Sequence, residues 1–222
     1  MTADVVIRHK GVCDYEHTWK SMVDFTVNRT PESMDEIWVL EHYPVYTQGT
    51  SCRDVPRGGY AVNGVPVSTV HSDRGGQMTY HGPGQLIIYC LLDLKRNHLG
   101  PKSLVKNVEQ ALINLLACYQ LDAFRRQGAP GVYLKEGKIA ALGFRIKKGC
   151  CYHGLSLNLD MDLSPFEGID PCGYPNQPVS QLCDFVEIDR EEVVSRLVEA
   201  LVVNLDLQVV DDVADKMSLR TE

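Results

Sequence analysis

The sequence predicts an α+β domain in which a mixed, mostly antiparallel sheet is flanked by helices. Three observations favour this class. Strand-like segments dominate the 222-residue chain, two amphipathic helix patterns lie between and after them, and tight turns join the strands of the middle region into an antiparallel meander. The chain has no internal repeat or clear linker, and its length suits one core, so we predict a single domain over residues 1–222.

The N-terminal part alternates strands with one helix. DVVIRH (4–9) is predicted as a strand, residues 14–29 as a helix, and EIWVLEH (36–42) as a buried strand because it is a short apolar run. Residues 42–59 hold too many Pro and Gly for a regular element and are predicted as a loop. The alternating segment 65–73 is predicted as a further strand.

The long apolar run GQLIIYCLLDL (84–94) is predicted as the central strand, and a helix follows it. Gly100-Pro101 marks the helix start, because proline suits the first helical position, where no N–H is needed. The apolar side chains that follow recur at helical spacing: Leu104, Val108, Ala111, Leu112, Leu115 and Leu116.

The meander is predicted over residues 131–163, with tight turns at 136–137 and 148–149, which both end in glycine. After it, Asp189 and, three residues later, Glu192 form a capping signal for a last helix.

Composition and charge argue against several classes of protein. A net charge of −7 disfavours a general nucleic-acid binder. No window resembles a membrane span, and the start MTADVVIRHK lacks the features of a signal peptide, so we expect a cytoplasmic protein without a membrane partner. The eight cysteines include no C-x-x-C pair and the seven histidines no H-x-x-x-H pair, so no metal site is expected. A basic group at Arg145, Lys147 and Lys148 is either a solvated face or a dock for an acidic partner.

The most unusual segment is RGGQMTYHGPGQ (74–85). It is not a P-loop, because no Lys-Ser/Thr follows, and it is not a dinucleotide fingerprint, because a strand rather than a helix comes next. Two interpretations remain. The segment forms tight turns around a short strand, QMTYH, or its bare backbone comes close to a bound molecule.

Among the cysteines, Cys172 is the best candidate for chemistry. It stands in IDPCGYPN, which cannot be a helix or a central strand, and a rigid loop can hold and expose a reacting group. A thiolate needs an activator, and Lys138, at the start of KIAALG, can serve. The alternative is a lysine at a hairpin edge that points into water.

Small residues recur through the meander and leave space above the sheet: Ala140, Ala141, Gly143, Gly154 and Ser156. Such a surface either packs closely against a helix or houses a flexible apolar ligand, and composition leaves both open.

Five segments in this order together resemble the lipoyl(octanoyl) transferases: LEHYPVYTQG (40–49), RGGQMTYHGPGQ (74–85), GKIAALGFRI (137–146), HGLSLNLDMDLSPF (153–166) and PCG (171–173). The match spans roughly residues 38–177 and is specific as a set. It implies the fold of the catalytic domain of biotin and lipoate protein ligases, with residues 1–222 as a single catalytic domain.

The resemblance also implies an activity and its partners. Octanoyl-acyl carrier protein is the donor, and the acceptors are lipoyl domains of 2-oxo-acid dehydrogenase acyltransferase subunits and the glycine-cleavage H protein. No cofactor is implied. The family pattern places an acyl-thioester on Cys172 and pairs it with Lys138. The implied substrate pocket is Arg74, Gly75, Gly76, Gln77, Met78, Thr79, Tyr80, His81, Ala141, Leu142, Gly143, Gly154, Leu155 and Ser156.

Several roles stay open at this point. His81 and His153 are possible general bases, but we favour structural support for both. Arg74 either anchors the glycine-rich loop or meets the pantetheine phosphate. The oxyanion is stabilised either by backbone N–H groups near Leu142 and Gly143 or by Lys138.

Three other functions are compatible with parts of the pattern: an ATP-dependent lipoate or biotin ligase, a noncatalytic acyl-binding module, and a cysteine thioesterase. An ATP requirement identifies the ligase, and release of free octanoate identifies the thioesterase. A binding module would never carry octanoyl on one of its own residues.

Overall fold

The computed structural model describes residues 2–52, 55–62, 64–170 and 177–211. The described part contains three α-helices, α1 (Tyr15–Val27), α2 (Pro101–Cys118) and α3 (Arg190–Asn204). Its strands are β1 (Ala3–Cys13), β2 (Asp35–His42), β3 (Val45–Gln48), β4 (Ala61–Val62), β5 (Val65–Pro66), β6 (Ser68–His71), β7 (Met78–His81), β8 (Gln85–Asp93), β9 (Phe124–Arg126), β10 (Ala129–Tyr133), β11 (Lys138–Lys147), β12 (Cys150–Asn158) and β13 (Leu207–Val209).

Eight of these strands form the main sheet, in the order β13-β1-β2-β8-β12-β11-β10-β9. β1 runs parallel to both β13 and β2. Every junction from β2 to β9 is antiparallel, including the predicted meander of β10, β11 and β12. The sheet is therefore mixed and mostly antiparallel, and the predicted α+β class is confirmed.

The two faces of the main sheet bury different helices. Ile37 and Val39 of β2 pack into one core with α2 and α3, while Trp38 and Leu40 pack into another with Met22 of α1. Because side chains alternate across a strand, a continuous apolar run such as β8 supplies both cores. The prediction of a central strand at 84–94 is confirmed, since β8 lies between β2 and β12.

The predicted helix boundaries are close to those observed. The Asp189 side chain accepts hydrogen bonds from the backbone N–H groups of Glu191 and Glu192, so it caps α3 as predicted. Proline opens α2 at its first helical position. Among the described residues, no helix is both long enough and apolar enough to cross a bilayer.

Two predictions about the region before β8 are wrong. The predicted loop at 42–59 contains β3, which pairs with β6 on one side and β7 on the other. The run VYTQ has only four residues and lies between Pro44 and Gly49, so it was hidden among turn-forming residues although Val, Tyr and Thr favour a strand. The strand predicted at 65–73 is interrupted between β5 and β6. The three-residue strands β9 and β13 were also not predicted, because they are too short to show a periodicity.

Candidate active site

A narrow cavity of about 60 Å³ opens between the glycine-rich segment, β11 and β12. Most of the predicted pocket residues line it together. The lining is Arg74, Gly76, Gln77, Met78, Thr79, His81, Tyr89, Lys138, Ala141, Leu142, Gly143, His153, Gly154, Leu155 and Ser156. Of the predicted pocket residues, Gly75 and Tyr80 do not line this cavity. Tyr80 instead packs in a separate apolar cluster with Tyr46 and Phe166. Tyr89 is a lining residue that sequence reasoning missed, because nothing distinguishes it within the apolar run of β8.

Strand register explains why two distant segments of small residues meet. β11 and β12 pair antiparallel, so Ala141 lies opposite Ser156 and Gly143 opposite Gly154. A Cβ atom on Gly154 would lie 2.0 Å from the Ile88 carbonyl oxygen of β8. Gly154 therefore allows β12 to approach β8, in addition to leaving the cavity open.

The glycine-rich segment lies directly against the backbone of β11. The Gly75 N–H donates to the Phe144 carbonyl at 3.2 Å, and a Cβ on Gly75 would lie 2.9 Å from that oxygen. The first interpretation is confirmed in part, since QMTYH contains the short strand β7. The bare backbone also lines the cavity, where its approach to a bound molecule stays a prediction.

Arg74 holds this segment in place. Its buried guanidinium donates from Nε to the Thr47 hydroxyl at 2.9 Å and from Nη1 to the Gly75 carbonyl at 3.0 Å. The third guanidinium nitrogen, Nη2, donates to the Thr47 carbonyl at 2.5 Å. Arg74 therefore anchors the glycine-rich loop to β3, which is one of the two roles predicted for it.

Lys138 is buried at the cavity. Its side chain is only 4% exposed and donates from Nζ to the Pro130 carbonyl at 2.9 Å. The ammonium lies 5.4 Å from the centre of the Tyr133 ring, a cation–π distance. The alternative of a hairpin-edge lysine that points into water is wrong, because the sheet continues through β10 and β9 beyond it.

Gly131 on the neighbouring strand makes room for this lysine. A Cβ on Gly131 would lie 2.5 Å from Lys138 Cε and 3.0 Å from Nζ, and Gly131 has a φ of +140°, which disfavours other residues. The buried Glu109 carboxylate accepts the Gly131 N–H at 2.9 Å and so fixes this backbone. The sequence signal for Gly131 is weak: one glycine before an apolar run.

Replacing Gly131 by alanine should therefore displace the lysine and lower stability by roughly 3 kcal/mol, since backbone strain and overpacking combine. Gly128→Ala is the matched control, because Gly128 also has a positive φ of +78° but nothing within 4 Å of its Cβ position. Urea unfolding of both variants measures the difference. Equal losses of stability would show that Lys138 does not need this space.

Cys172 lies outside the described residues, but the segments on both sides of it are held firmly. Before it, the Asp170 carboxylate accepts two hydrogen bonds from Arg57, both at 2.7 Å. After it comes a short strap, defined here as residues 177–180. The backbone N–H of Lys138 donates to the Pro178 carbonyl at 2.8 Å, and the Ser180 N–H donates to the Lys138 carbonyl at 3.0 Å. The strap, which begins five residues after Cys172 in the sequence, therefore pairs with the backbone of Lys138.

Gly137 permits this contact. A Cβ on Gly137 would lie 2.7 Å from the Pro178 carbonyl group, so only glycine allows the strap to reach the start of β11. The turn predicted from Glu136-Gly137 is present, and Gly137 also allows the strap to approach the start of β11.

Three buried histidines, His42, His81 and His153, lie close together and form the histidine cluster, and two of them, His81 and His153, line the cavity. The His42 and His81 ring centres are 5.9 Å apart, and Tyr89 lies 5.8 Å from His42 and 5.9 Å from His153. The Asp73 carboxylate accepts hydrogen bonds from His153, Trp19 and Tyr152. Partial burial opposes the ionisation of Asp73, but hydrogen bonds from His153, Tyr152 and Trp19 outweigh it and lower its pKa to about 2.

Burial also keeps the histidines neutral. It lowers the pKa of His42 to about 4 and the pKa of His153 below its ordinary value, although the Asp73 carboxylate partly offsets the effect at His153. His42 donates from Nδ1 to the Cys13 carbonyl at 2.9 Å, so its Nε2 accepts from the Tyr89 hydroxyl at 2.7 Å.

The histidine cluster predicts a loss of stability in acid. A histidine whose pKa falls from 6.5 to about 4 on folding stabilises the protein fully above pH 6.5 and loses that contribution as the pH falls towards 4. His42 alone should account for about 3 kcal/mol of this loss. Urea unfolding of the wild type and of His42→Gln between pH 7 and pH 4 tests it, and the variant should show the shallower dependence. Identical slopes would contradict the assignment.

The described residues contain no group of three or more His, Cys, Asp or Glu side chains placed to hold a metal ion. The cavity is a narrow, largely apolar slot, and its lining includes the buried primary amine of Lys138 and the neutral imidazoles of His81 and His153.

The α+β fold of this chain belongs to a known structural class. Among solved structures, a putative lipoate protein ligase from T. acidophilum with bound lipoic acid matches 99% of this chain and 92% of its own, with a TM-score of 0.68 and 16% identity. A lipoate-protein ligase A bound with ATP matches with a TM-score of 0.66 at 15% identity over 99% of this chain and 93% of its own. These likenesses establish a lipoate-ligase-like fold.

Sequence comparison gives the family. Residues 14–202 match the model of the lipoyl protein ligase A/B catalytic domain, and the chain belongs to that family. An octanoyltransferase from Dechloromonas aromatica is 50% identical over 90% of this chain and 97% of its own. One from Shewanella frigidimarina is 52% identical over 76% of each chain. The predicted resemblance to the lipoyl(octanoyl) transferases and the prediction of an acyltransferase are confirmed.

Proposed function

We propose that this protein transfers an octanoyl group from an acyl carrier protein to a lysine of a lipoyl domain, through a thioester on Cys172. The observation that carries the proposal is the burial of Lys138 at a narrow slot, beside the strap that continues from the cysteine segment. A slot lined by Ala141, Gly143 and Ser156 suits a linear acyl chain, because small residues leave a groove along the sheet. Relatives named octanoyltransferase support the acyl group.

The first half-reaction forms the acyl-enzyme. The Cys172 thiolate attacks the donor thioester carbonyl, a new C–S bond forms, and the donor C–S bond breaks as the carrier sulfur leaves and takes a proton from the Lys138 ammonium, which leaves Lys138 neutral. A charged Lys138 next to the sulfur would stabilise the thiolate. Backbone N–H groups near Leu142 and Gly143, or Lys138 itself, would stabilise the oxyanion.

The second half-reaction makes an amide. The acceptor lysine attacks as the neutral amine, a C–N bond forms, and the Cys172 thiolate is expelled. The acceptor ammonium must first lose a proton, since its ordinary pKa is about 10.4, and Lys138 in its neutral form is the proposed base. The same nitrogen releases its second proton to solvent as the amide forms. Thioester aminolysis runs downhill, so no ATP and no cofactor are required.

The named partners, the cytoplasmic location and the assignment of residues 1–222 to one catalytic domain are parts of the same proposal. Lipoyl domains as acceptors gain support from a solved T. acidophilum bipartite lipoate protein ligase described with its E2 lipoyl domain.

The direct test mixes purified protein, octanoyl-acyl carrier protein and a lipoyl domain without ATP. Intact mass should show octanoyl first on this protein and then on the lipoyl domain, with peptide mapping to Cys172. A ligase would instead need ATP with free octanoate, and a thioesterase would release octanoate without modifying the acceptor. Either of those results would replace the proposal.

The pocket assignment predicts a change in chain-length preference. Ala141→Leu should fill the slot and shift transfer towards shorter acyl groups, because each excluded methylene removes about 0.8 kcal/mol of burial. Competition between octanoyl and butanoyl donors measures the shift. Ala61→Leu, on the exposed part of β4, is the control. Gly154→Leu is unsuitable, because its side chain would push β12 away from β8. An unchanged preference in Ala141→Leu would remove the pocket assignment.

A further inference from the structure

A buried chain of hydrogen bonds runs from the cavity to the strap. His81 Nδ1 lies 2.7 Å from Gln85 Oε1, Gln85 Nε2 lies 2.9 Å from Asn158 Oδ1, and Asn158 Nδ2 lies 2.9 Å from the Ser180 carbonyl. We call these four residues the relay. All four are less than a tenth exposed, so water does not compete for their polar groups. Its last member is bonded to Lys138, since the Ser180 N–H donates to the Lys138 carbonyl.

The direction of every hydrogen bond in the relay is fixed at its Ser180 end. A backbone carbonyl can only accept, so Asn158 must point its NH₂ group at Ser180 and its oxygen at Gln85. Gln85 must then point its NH₂ group at Asn158 and its oxygen at His81. A second bond from Gln85 Nε2 to the Tyr80 carbonyl at 3.3 Å requires the same orientation.

The fixed direction of these hydrogen bonds determines which ring nitrogen of His81 carries the proton at the cavity. Facing an amide oxygen, His81 Nδ1 must carry the proton, so Nε2 of the neutral ring is a bare acceptor. Among the described residues, no group forms a hydrogen bond with Nε2. Nε2 is also not one of the fully buried polar atoms without a partner, so it is not completely enclosed by protein. Stacking on Tyr15, with ring centres 5.9 Å apart, holds the plane of the ring.

We propose that Gln85 and Asn158 are positioning residues for acyl transfer: they fix His81 as its Nδ1–H tautomer, with Nε2 as an acceptor at the cavity, and they hold the strap beside Lys138. The catalytic part of this inference rests on the proposed function. In it, His81 Nε2 accepts a hydrogen bond from the attacking amine and orients its lone pair towards the thioester. Burial lowers the pKa of His81 well below its ordinary value, so the ring stays neutral while it does so.

The tautomer can be measured in the wild type without any acyl substrate. Two-bond ¹H–¹⁵N spectra of the ¹⁵N-histidine-labelled protein at pH 7 should show His81 protonated at Nδ1, with assignment by loss of its signals in His81→Gln. Protonation at Nε2 would overturn the proposal, whether or not the protein transfers octanoate. Failure of the octanoyl test would refute the proposed function alone and leave this structural claim standing.

Two variants separate the ends of the relay. Gln85→Met removes the acceptor for Nδ1, so His81 should lose its single tautomer, and aminolysis of the acyl-enzyme should slow on the order of 10- to 100-fold. Asn158→Asp still accepts from Gln85 but cannot donate to Ser180. His81 should therefore keep its tautomer, while hydrogen exchange at the Ser180 and Lys138 amides accelerates.

Gln110→Met is the matched control, because it removes a glutamine that hydrogen-bonds on helix α2 outside the relay. It should leave tautomer, exchange and transfer unchanged. Normal aminolysis together with an unchanged tautomer in Gln85→Met would overturn the proposal, as would unchanged amide exchange in Asn158→Asp. Where a variant does not fold, the wild-type spectrum still decides the tautomer.

Discussion

Replacing Cys172 by serine should abolish the octanoyl adduct and slow transfer to the lipoyl domain by on the order of 1000-fold or more, the scale seen when a covalent nucleophile is removed. The physical reason is ionisation. A free thiol has a pKa of about 8.5 and becomes a thiolate beside a cation, whereas a serine hydroxyl stays protonated and needs a dedicated base.

Intact mass after mixing with octanoyl-acyl carrier protein measures the adduct, and a timed transfer assay measures the rate. Cys118→Ser is the control, because Cys118 is an exposed cysteine at the end of α2 and does not line the cavity. Normal transfer by Cys172→Ser, or an adduct that maps to a different residue, would exclude the covalent route through Cys172.

The second large effect is expected at Lys138. Lys138→Met keeps much of the side chain's length and removes its charge and its proton-transfer capacity. We expect both half-reactions to slow by about 10²- to 10⁴-fold, the range typical of a lost general base. Thioester formation loses the cation that favours the thiolate, and aminolysis loses the group that removes the proton from the amine.

Folding should change much less than activity. Methionine leaves the Pro130 carbonyl without its donor, which costs about 1–3 kcal/mol, but it also removes a buried ammonium that was costly to desolvate. Lys106→Met is the matched control, since Lys106 is exposed on helix α2 and does not line the cavity. Single-turnover assays separate the half-reactions. If Lys138→Met forms and discharges the acyl-enzyme at the wild-type rates, Lys138 has no chemical role.

Local patterns were sufficient for most of the architecture. The apolar run of β8, the stripe of α2, the Asp189 cap and the glycine turns of the meander each follow from the side-chain period or from a backbone requirement that neighbouring residues decide. Family segments in a fixed order were sufficient for most of the residues that line the slot, but not for Tyr89. Local patterns did not predict strand β3, whose hydrogen-bond partners lie about 20 and 30 residues away in the chain.

By itself, the sequence determined the fold class, the central strand, the starts of α2 and α3 and the presence of small residues along the meander. Only the tertiary structure decided which of these small residues face one another across β11 and β12. Only the tertiary structure decided that Lys138 is buried and not at a water-facing edge, because β9 and β10 continue the sheet past it. It also decided that Gly131 and Gly137 serve close approaches, and that Ser180 fixes the proton on His81 through two amides. These features depend on contacts between residues far apart in the chain, and no local period or propensity encodes such contacts.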